Sequence, residues 1–163
     1  MDFHVGDSVM HWTYGLGQIT QLEERAVSGQ NALYYAVKIG DMTVWVPADD
    51  KLESRLRPPT QGARFKRLLA ILSSPGEPLP IDRQERKLQM LEMLKDGRAE
   101  SICRVIRDLT SFRKAKPLND NDQAVLKRLQ TALLSEWGFA LSITPAQAEL
   151  EMRRLLSPAS VAE

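Results

Sequence analysis

Two groups of side chains in this 163-residue chain are suited to holding another molecule, and few are suited to catalysis. Arg83, Arg86 and Lys87 stand together, and Arg113, Lys114 and Lys116 form a second cluster further on. Clustered guanidinium and ammonium groups bind phosphates without reading bases, so this composition suits the backbone or minor groove of DNA and not a base-specific code. The second group is aromatic. Trp45 stands between Val44 and Val46, so in a strand it points opposite to both; with the valines inward it becomes an outward anchor for a partner. Alternation alone leaves the reverse arrangement, with Trp45 buried, equally open.

The catalytic inventory is thin. His4 and His11 are the only histidines and Cys103 the only cysteine, which gives no metal cluster and no Cys/His nucleophile pair. Tyr14-Gly15-Leu16-Gly17 lacks the further glycines and the following helix of a phosphate-cradling loop. Glu23-Glu24 and Asp49-Asp50 read as solvated charges. The expectation is a binding protein without enzymatic activity, cofactor or metal. Both histidines are expected at the surface or a strand edge, and Cys103, on an apolar helical pattern, as a packed thiol.

These residues need elements to position them. Up to about residue 50, Gly6-Asp7, Gly15, Gly17, Gly29 and Gly40-Asp41 punctuate runs of β-branched and aromatic residues, above all Leu33 to Ile39 and Met42 to Pro47. That pattern predicts short antiparallel strands in a small barrel or a strongly bent sheet. Pro58-Pro59-Thr60-Gln61-Gly62 marks a boundary, giving domains over 1–59 and 60–163. Beyond it the apolar period lengthens to about 3.6. Phe65, Leu68, Leu69 and Leu72 form one stripe and Leu88, Leu91 and Leu94 a second. Ile102, Val105, Ile106 and Leu109 form a third, and Leu126, Leu129 and Leu133 a fourth; all four read as core. The proline-rich Ser73 to Pro80 separates the first two helices. Asp82 with Glu85 and Asn119 with Asp122 read as helix starts, and Thr144-Pro145-Ala146-Gln147 as a capping box opening a last helix over Pro145 to Leu156. The end from Ser157 to Glu163 is expected to fray.

Charge separates the halves. Residues 1–60 carry 5 basic against 8 acidic side chains, a balance of −3, and residues 61–116 carry 13 against 7, a balance of +6. Such bipolarity fits two different partners, with the basic part toward a polyanion; Arg-rich solvated helix faces are the plainer reading. No apolar run approaches the ~18 residues of a membrane helix. Met1-Asp2-Phe3-His4 has neither the basic start nor the apolar stretch of a secretory signal, so a cytoplasmic protein with no membrane partner is expected.

Asp2-Phe3-His4-Val5-Gly6-Asp7-Ser8-Val9, Tyr14-Gly15-Leu16-Gly17, Tyr34 to Ile39 and Thr43 to Pro47 resemble the Tudor-like polymerase-binding module shared by the bacterial CarD transcription regulators and the transcription-repair coupling factor. Ile102-Cys103-Arg104-Val105-Ile106-Arg107-Asp108-Leu109, Leu118-Asn119-Asp120-Asn121-Asp122, Leu126, Leu133-Leu134 and Ser135-Glu136 resemble the helical second domain of CarD. Over roughly residues 2 to 141 the resemblance favours CarD. It implies an α+β protein, a small Tudor-like antiparallel β-barrel followed by an all-α domain. It also implies docking on the RNA polymerase β subunit through Arg25, Trp45 and Pro47. Trp45 stands where the family often has arginine. Promoter DNA at the upstream edge of the bubble is the implied second partner, with an effect on open-complex stability and a nucleoid-associated location, and the basic clusters offer Arg83, Arg86, Lys87, Arg113 and Lys114 to meet it. Arg83 stands where CarD proteins typically carry a tryptophan that wedges into the DNA, so a protein-only adaptor on polymerase is the rival reading.

Overall fold

The structure, a computed structural model, describes residues 3–157; the end expected to fray lies, beyond Ser157, outside them. The chain divides into two compact units, Met1–Pro59 and Thr60–Glu163. The first is antiparallel β and the second all helix, an α+β arrangement.

In the first unit β1 (Ser8–His11), β2 (Gly15–Val27), β3 (Gln30–Ile39), β4 (Met42–Pro47) and β5 (Leu56–Arg57) form one sheet in the order β4-β3-β2-β1-β5, with a short 3-10 turn at Leu52–Ser54. The sheet does not close, because β4 and β5 are its edges and do not pair. Ser28 and Gly29 both have positive φ, which turns β2 directly into β3. Gly17 is required for packing: a Cβ there would lie 2.6 Å from Ile39 Cγ1 and 2.9 Å from the Lys38 carbonyl oxygen. The register shifts between Ile19 and Gln21, a bulge that lets β2 and β3 curl. Val9, Ile19, Tyr35, Val37, Val46, Leu52 and Leu56 pack into one core, and the Tyr35 hydroxyl donates to the Phe3 carbonyl at 3.2 Å.

The second unit consists of α1 (Gly62–Ser73), α2 (Arg83–Leu94), α3 (Ala99–Ala115), α4 (Asp120–Leu141) and α5 (Pro145–Leu156). The expected caps form: the Asp82 side chain accepts from the Glu85 N–H, and Asn119 with Asp122 and Thr144 with Gln147 make reciprocal capping boxes, the latter with proline in the first turn. Phe65, Leu68 and Leu72 of α1 meet Ile102, Val105, Ile106 and Leu109 of α3 and Leu126, Leu129 and Leu133 of α4. Cys103 is buried in this core. Trp137 lies 5.6 Å, centroid to centroid, from Phe65, and the neighbouring Glu136 carboxylate accepts from the Thr60 N–H at 2.8 Å. The Leu88–Leu91–Leu94 stripe is corrected. Leu88 and Leu91 are 66% and 56% exposed, whereas Arg86 and Met90 face inward and Leu94 is only partly covered. Period alone could not separate these faces, since an arginine and a methionine took the positions where leucines were expected.

His11 is likewise corrected, from edge residue to buried ring. Its Nδ1 accepts from the backbone N–H groups of Thr13 and Tyr14 at 3.0 and 3.2 Å, and the ring stacks on Tyr14 at 5.2 Å. His4 is exposed. Burial lowers the His11 pKa below 6.5, so the folded unit keeps the ring neutral where the unfolded chain takes up a proton. Stability should therefore be unaffected well above pH 6.5 and fall as the pH drops through and below that value. Denaturant melts between pH 5 and 8 check this, with His11→Gln expected to flatten the slope.

Candidate functional site

On the first unit, alternation resolves in one direction. Val46 is buried and Val44 packs against the same core, so Trp45 lies on the opposite, outer face. It is half-buried there because the Arg25 guanidinium sits over the indole, Cζ 4.1 Å from the ring centroid. Such a cation–π pair contributes about 0.5–1 kcal/mol at a surface and holds both side chains in one orientation. Arg25 also lies 3.6 Å from Glu23. The sheet register aligns Pro47 with Tyr34 and Tyr34 with Glu23, which puts Pro47, Tyr34, Glu23, Arg25 and Trp45 on one face. Arg25, Trp45 and Pro47 are thus brought together. Tyr34 was missed from sequence, and its register partnership with Pro47 is the signal that finds it.

On the helical unit the expected cations divide. Arg86 is buried, 4% exposed. Its Nε donates to both Asp122 carboxylate oxygens at 3.1 Å, Nη2 to Asp122 Oδ2 at 2.7 Å, and Nη1 to the carbonyls of Pro80 and Ile81 at 3.1 and 3.0 Å. The guanidinium also lies over the Phe112 ring at 4.6 Å. Every guanidinium nitrogen has an internal acceptor, so the expectation that Arg86 grips DNA phosphate is withdrawn. Desolvating both charges costs several kcal/mol, offset only because hydrogen bonds surround the pair. Arg86 instead joins three helix ends: the start of α2, the end of α3 at Phe112, and the start of α4, where Asp122 also accepts from the Asn119 N–H. Nothing in linear spacing pairs Arg86 with Asp122 or Phe112, positions so far apart in the chain.

Arg83 and Lys87 of α2 and Arg113, Lys114 and Lys116 at the end of α3 are exposed. They belong to the same helix ends that Arg86 ties together. A second polar hub fixes the proline-rich loop beside them. Asp108 Oδ1 accepts from the Glu77 N–H and from Arg107 Nε, both at 2.9 Å, and Arg107 Nη1 reaches Ser74 Oγ at 2.9 Å. Among the described residues no group of three His, Cys, Asp or Glu side chains could hold a metal ion, and no helix is long and apolar enough to cross a membrane.

Comparison with known proteins gives two family matches. Residues 3–59 match the family model for the CarD-like/TRCF RID domain, and residues 67–153 the model for the CarD C-terminal domain. A curated relative, "Putative transcription factor YdeB" of Bacillus subtilis (strain 168), is 27% identical over 147 residues, covering 89% of this chain and 96% of its own length.

Two consequences follow for stability. Asp122→Ala should cost about 3–5 kcal/mol by stranding the buried Arg86 charge, and pairing it with Arg86→Met should restore much of that loss. Arg25→Ala should leave the melting temperature within a few degrees while raising acrylamide quenching of Trp45 fluorescence, read in a Trp12→Phe/Trp137→Phe background.

Proposed function

The chain belongs to the CarD family of transcription regulators, which act through RNA polymerase, and on that premise we propose that it docks on the polymerase β subunit and steadies open promoter complexes by gripping DNA phosphates. The β unit is the docking module. Arg25, Trp45 and Pro47 share one face, and β4, an edge strand, leaves backbone groups along its outer side for a partner strand. A rigid indole held by a guanidinium is the type of anchor that dominates protein interfaces.

The helical unit is the DNA-facing part. The observation that carries this reading is the Arg86–Asp122 hub, which gathers the helix ends bearing the exposed Arg83, Lys87, Arg113 and Lys114. Cations set on fixed helix ends give up less freedom when they meet phosphates. None of them needs a base, so binding is electrostatic and weakly sequence-selective. Docking raises the local concentration of this surface beside the melting region, and modest intrinsic affinity then suffices.

A second reading has its own support. Ile81, Leu88 and Leu91 are exposed on or beside α2, and the resemblance puts Arg83 where the family carries its wedge tryptophan. An apolar stripe suits protein better than phosphate, so the rival is an adaptor that touches protein alone.

Trp45→Ala in the full chain should weaken polymerase binding by about 2 kcal/mol with folding preserved. Alanine at Arg83, Lys87, Arg113 and Lys114 should shorten open-complex lifetime and reduce its salt slope by roughly one unit for each phosphate no longer neutralised, while polymerase affinity holds. Arg83→Trp should lengthen that lifetime. If the quadruple variant and Arg83→Trp both match the parent in promoter-opening assays, the adaptor reading stands instead.

A further inference from the structure

Arg113 and Lys114 of α3 and Lys127 of α4 line one trough of about 620 Å³, with α5 as its third wall. None of the three has a hydrogen-bonding or ion-pair partner among the described residues. Glu149 also lines the trough, but Arg153 already holds it at 2.6 Å, so that pair cancels itself. Three like charges drawn from two helices repel one another unless an anion lies between them. Thr131 and Gln130 add neutral hydrogen-bond donors along the same wall.

An adjoining cavity of about 410 Å³ shares Thr110, Lys114, Leu156 and Ser157 with the trough and otherwise has its own lining. Leu72, Pro75 and Leu155 give it an apolar side, Ser73, Thr110 and Ser111 add hydroxyl groups, and Arg107 at its edge is held in place by Asp108 and Ser74. Gly76 keeps this wall close: a Cβ there would lie 2.5 Å from the Ser111 Cβ. A cation-lined trough beside a small recess of mixed apolar and hydroxyl lining fits a molecule with a multiply charged end and an organic body that carries polar groups. Both volumes fall within the range of small-molecule sites, whereas a duplex carries its phosphates on a broad rod that meets only the rim. A single phosphate group carries about −1.5 to −2, so three unneutralised cations match two or more phosphates.

We propose that this trough binds a small organic polyphosphate of the nucleoside polyphosphate class, its phosphates among Arg113, Lys114 and Lys127 and its organic body over Leu72, Pro75 and Leu155. The binding itself does not depend on the proposed DNA interaction. Its regulatory consequence does: an occupant engages Arg113 and Lys114 and so withdraws two cations from the DNA-facing surface, which makes the ligand a brake on DNA affinity.

The test is calorimetric titration of the full chain, in magnesium-free buffer, with ATP, with tripolyphosphate and with adenosine as probes. ATP should bind about tenfold more tightly than tripolyphosphate, and adenosine should give no measurable heat. Lys127→Ala, at an exposed position outside the proposed DNA surface, should weaken ATP about tenfold with an unchanged melting temperature, and Arg113→Ala should do likewise. No ATP binding at millimolar concentration, or equal binding by the parent and both variants, overturns the proposal. Equal affinity for ATP and tripolyphosphate removes the recess from the site and overturns the assignment of an organic body. A labelled duplex serves as a separate arm. Loss of duplex affinity in Lys127→Ala without any ATP binding makes the trough part of the DNA path and overturns the proposal; absence of duplex binding sinks the DNA reading alone, and the ATP titration still decides this site.

Discussion

The buried ion pair between Arg86 and Asp122 is the constraint on which the helical unit depends. Arg86 occupies a position on α2 where an aliphatic side chain would serve the core, and its charge is tolerated only because Asp122, two loop carbonyls and the Phe112 ring enclose it. The geometry this imposes is narrow. A bidentate guanidinium–carboxylate pair has a preferred plane and direction, so α2 cannot slide along α3 and α4 without stranding both charges. Asp122 is held in turn by the capping box that starts α4, which couples the fold of one helix to the placement of another. The α2 helix needs this coupling: with Leu88 and Leu91 in solvent, it buries little apolar surface of its own.

The β unit solves its positioning problem with less cost. Its outer face rests on a pleat whose inner side is filled by Val37, Val46 and Tyr35, so the direction of Trp45 follows from the core and not from the tryptophan itself. Arg25 arrives from another strand, and the bulge in β2 sets which side chains of that strand share the face of β4. No charge is buried in making this pair. The two surfaces thus differ in how they are held: a cation–π pair on the sheet, and exposed cations beside a buried ion pair on the helices.

The same polar hubs divide the cations by role. Arg86 and Arg107 direct their hydrogen bonds inward, fixing the loop from Ser74 to Ile81, whereas Arg83, Lys87, Arg113, Lys114 and Lys127 are among the cations that meet solvent. A count of basic residues cannot make this distinction, since the +6 balance of residues 61–116 includes arginines of both sorts.

The sequence by itself determined what is local. Turn residues, the change of apolar period at Pro58-Pro59 and the capping signals at Asp82, Asn119 and Thr144 act over a few residues, and α2, α4 and α5 begin at those caps. The motifs carrying the family resemblance were legible for the same reason, as ordered runs along the chain. Tertiary structure decided what depends on distant partners. Whether the strands closed into a barrel turned on the pairing of β4 with β5, which no local signal records. Arg86 became a structural residue because Asp122 and Phe112 fold against it, Leu88 became exposed because Met90 took the inward face, and Lys127 joined Arg113 and Lys114 only where α4 crosses α3. A side chain's type and spacing state what it is able to bind, but which partner reaches it first is fixed by packing between elements far apart in sequence.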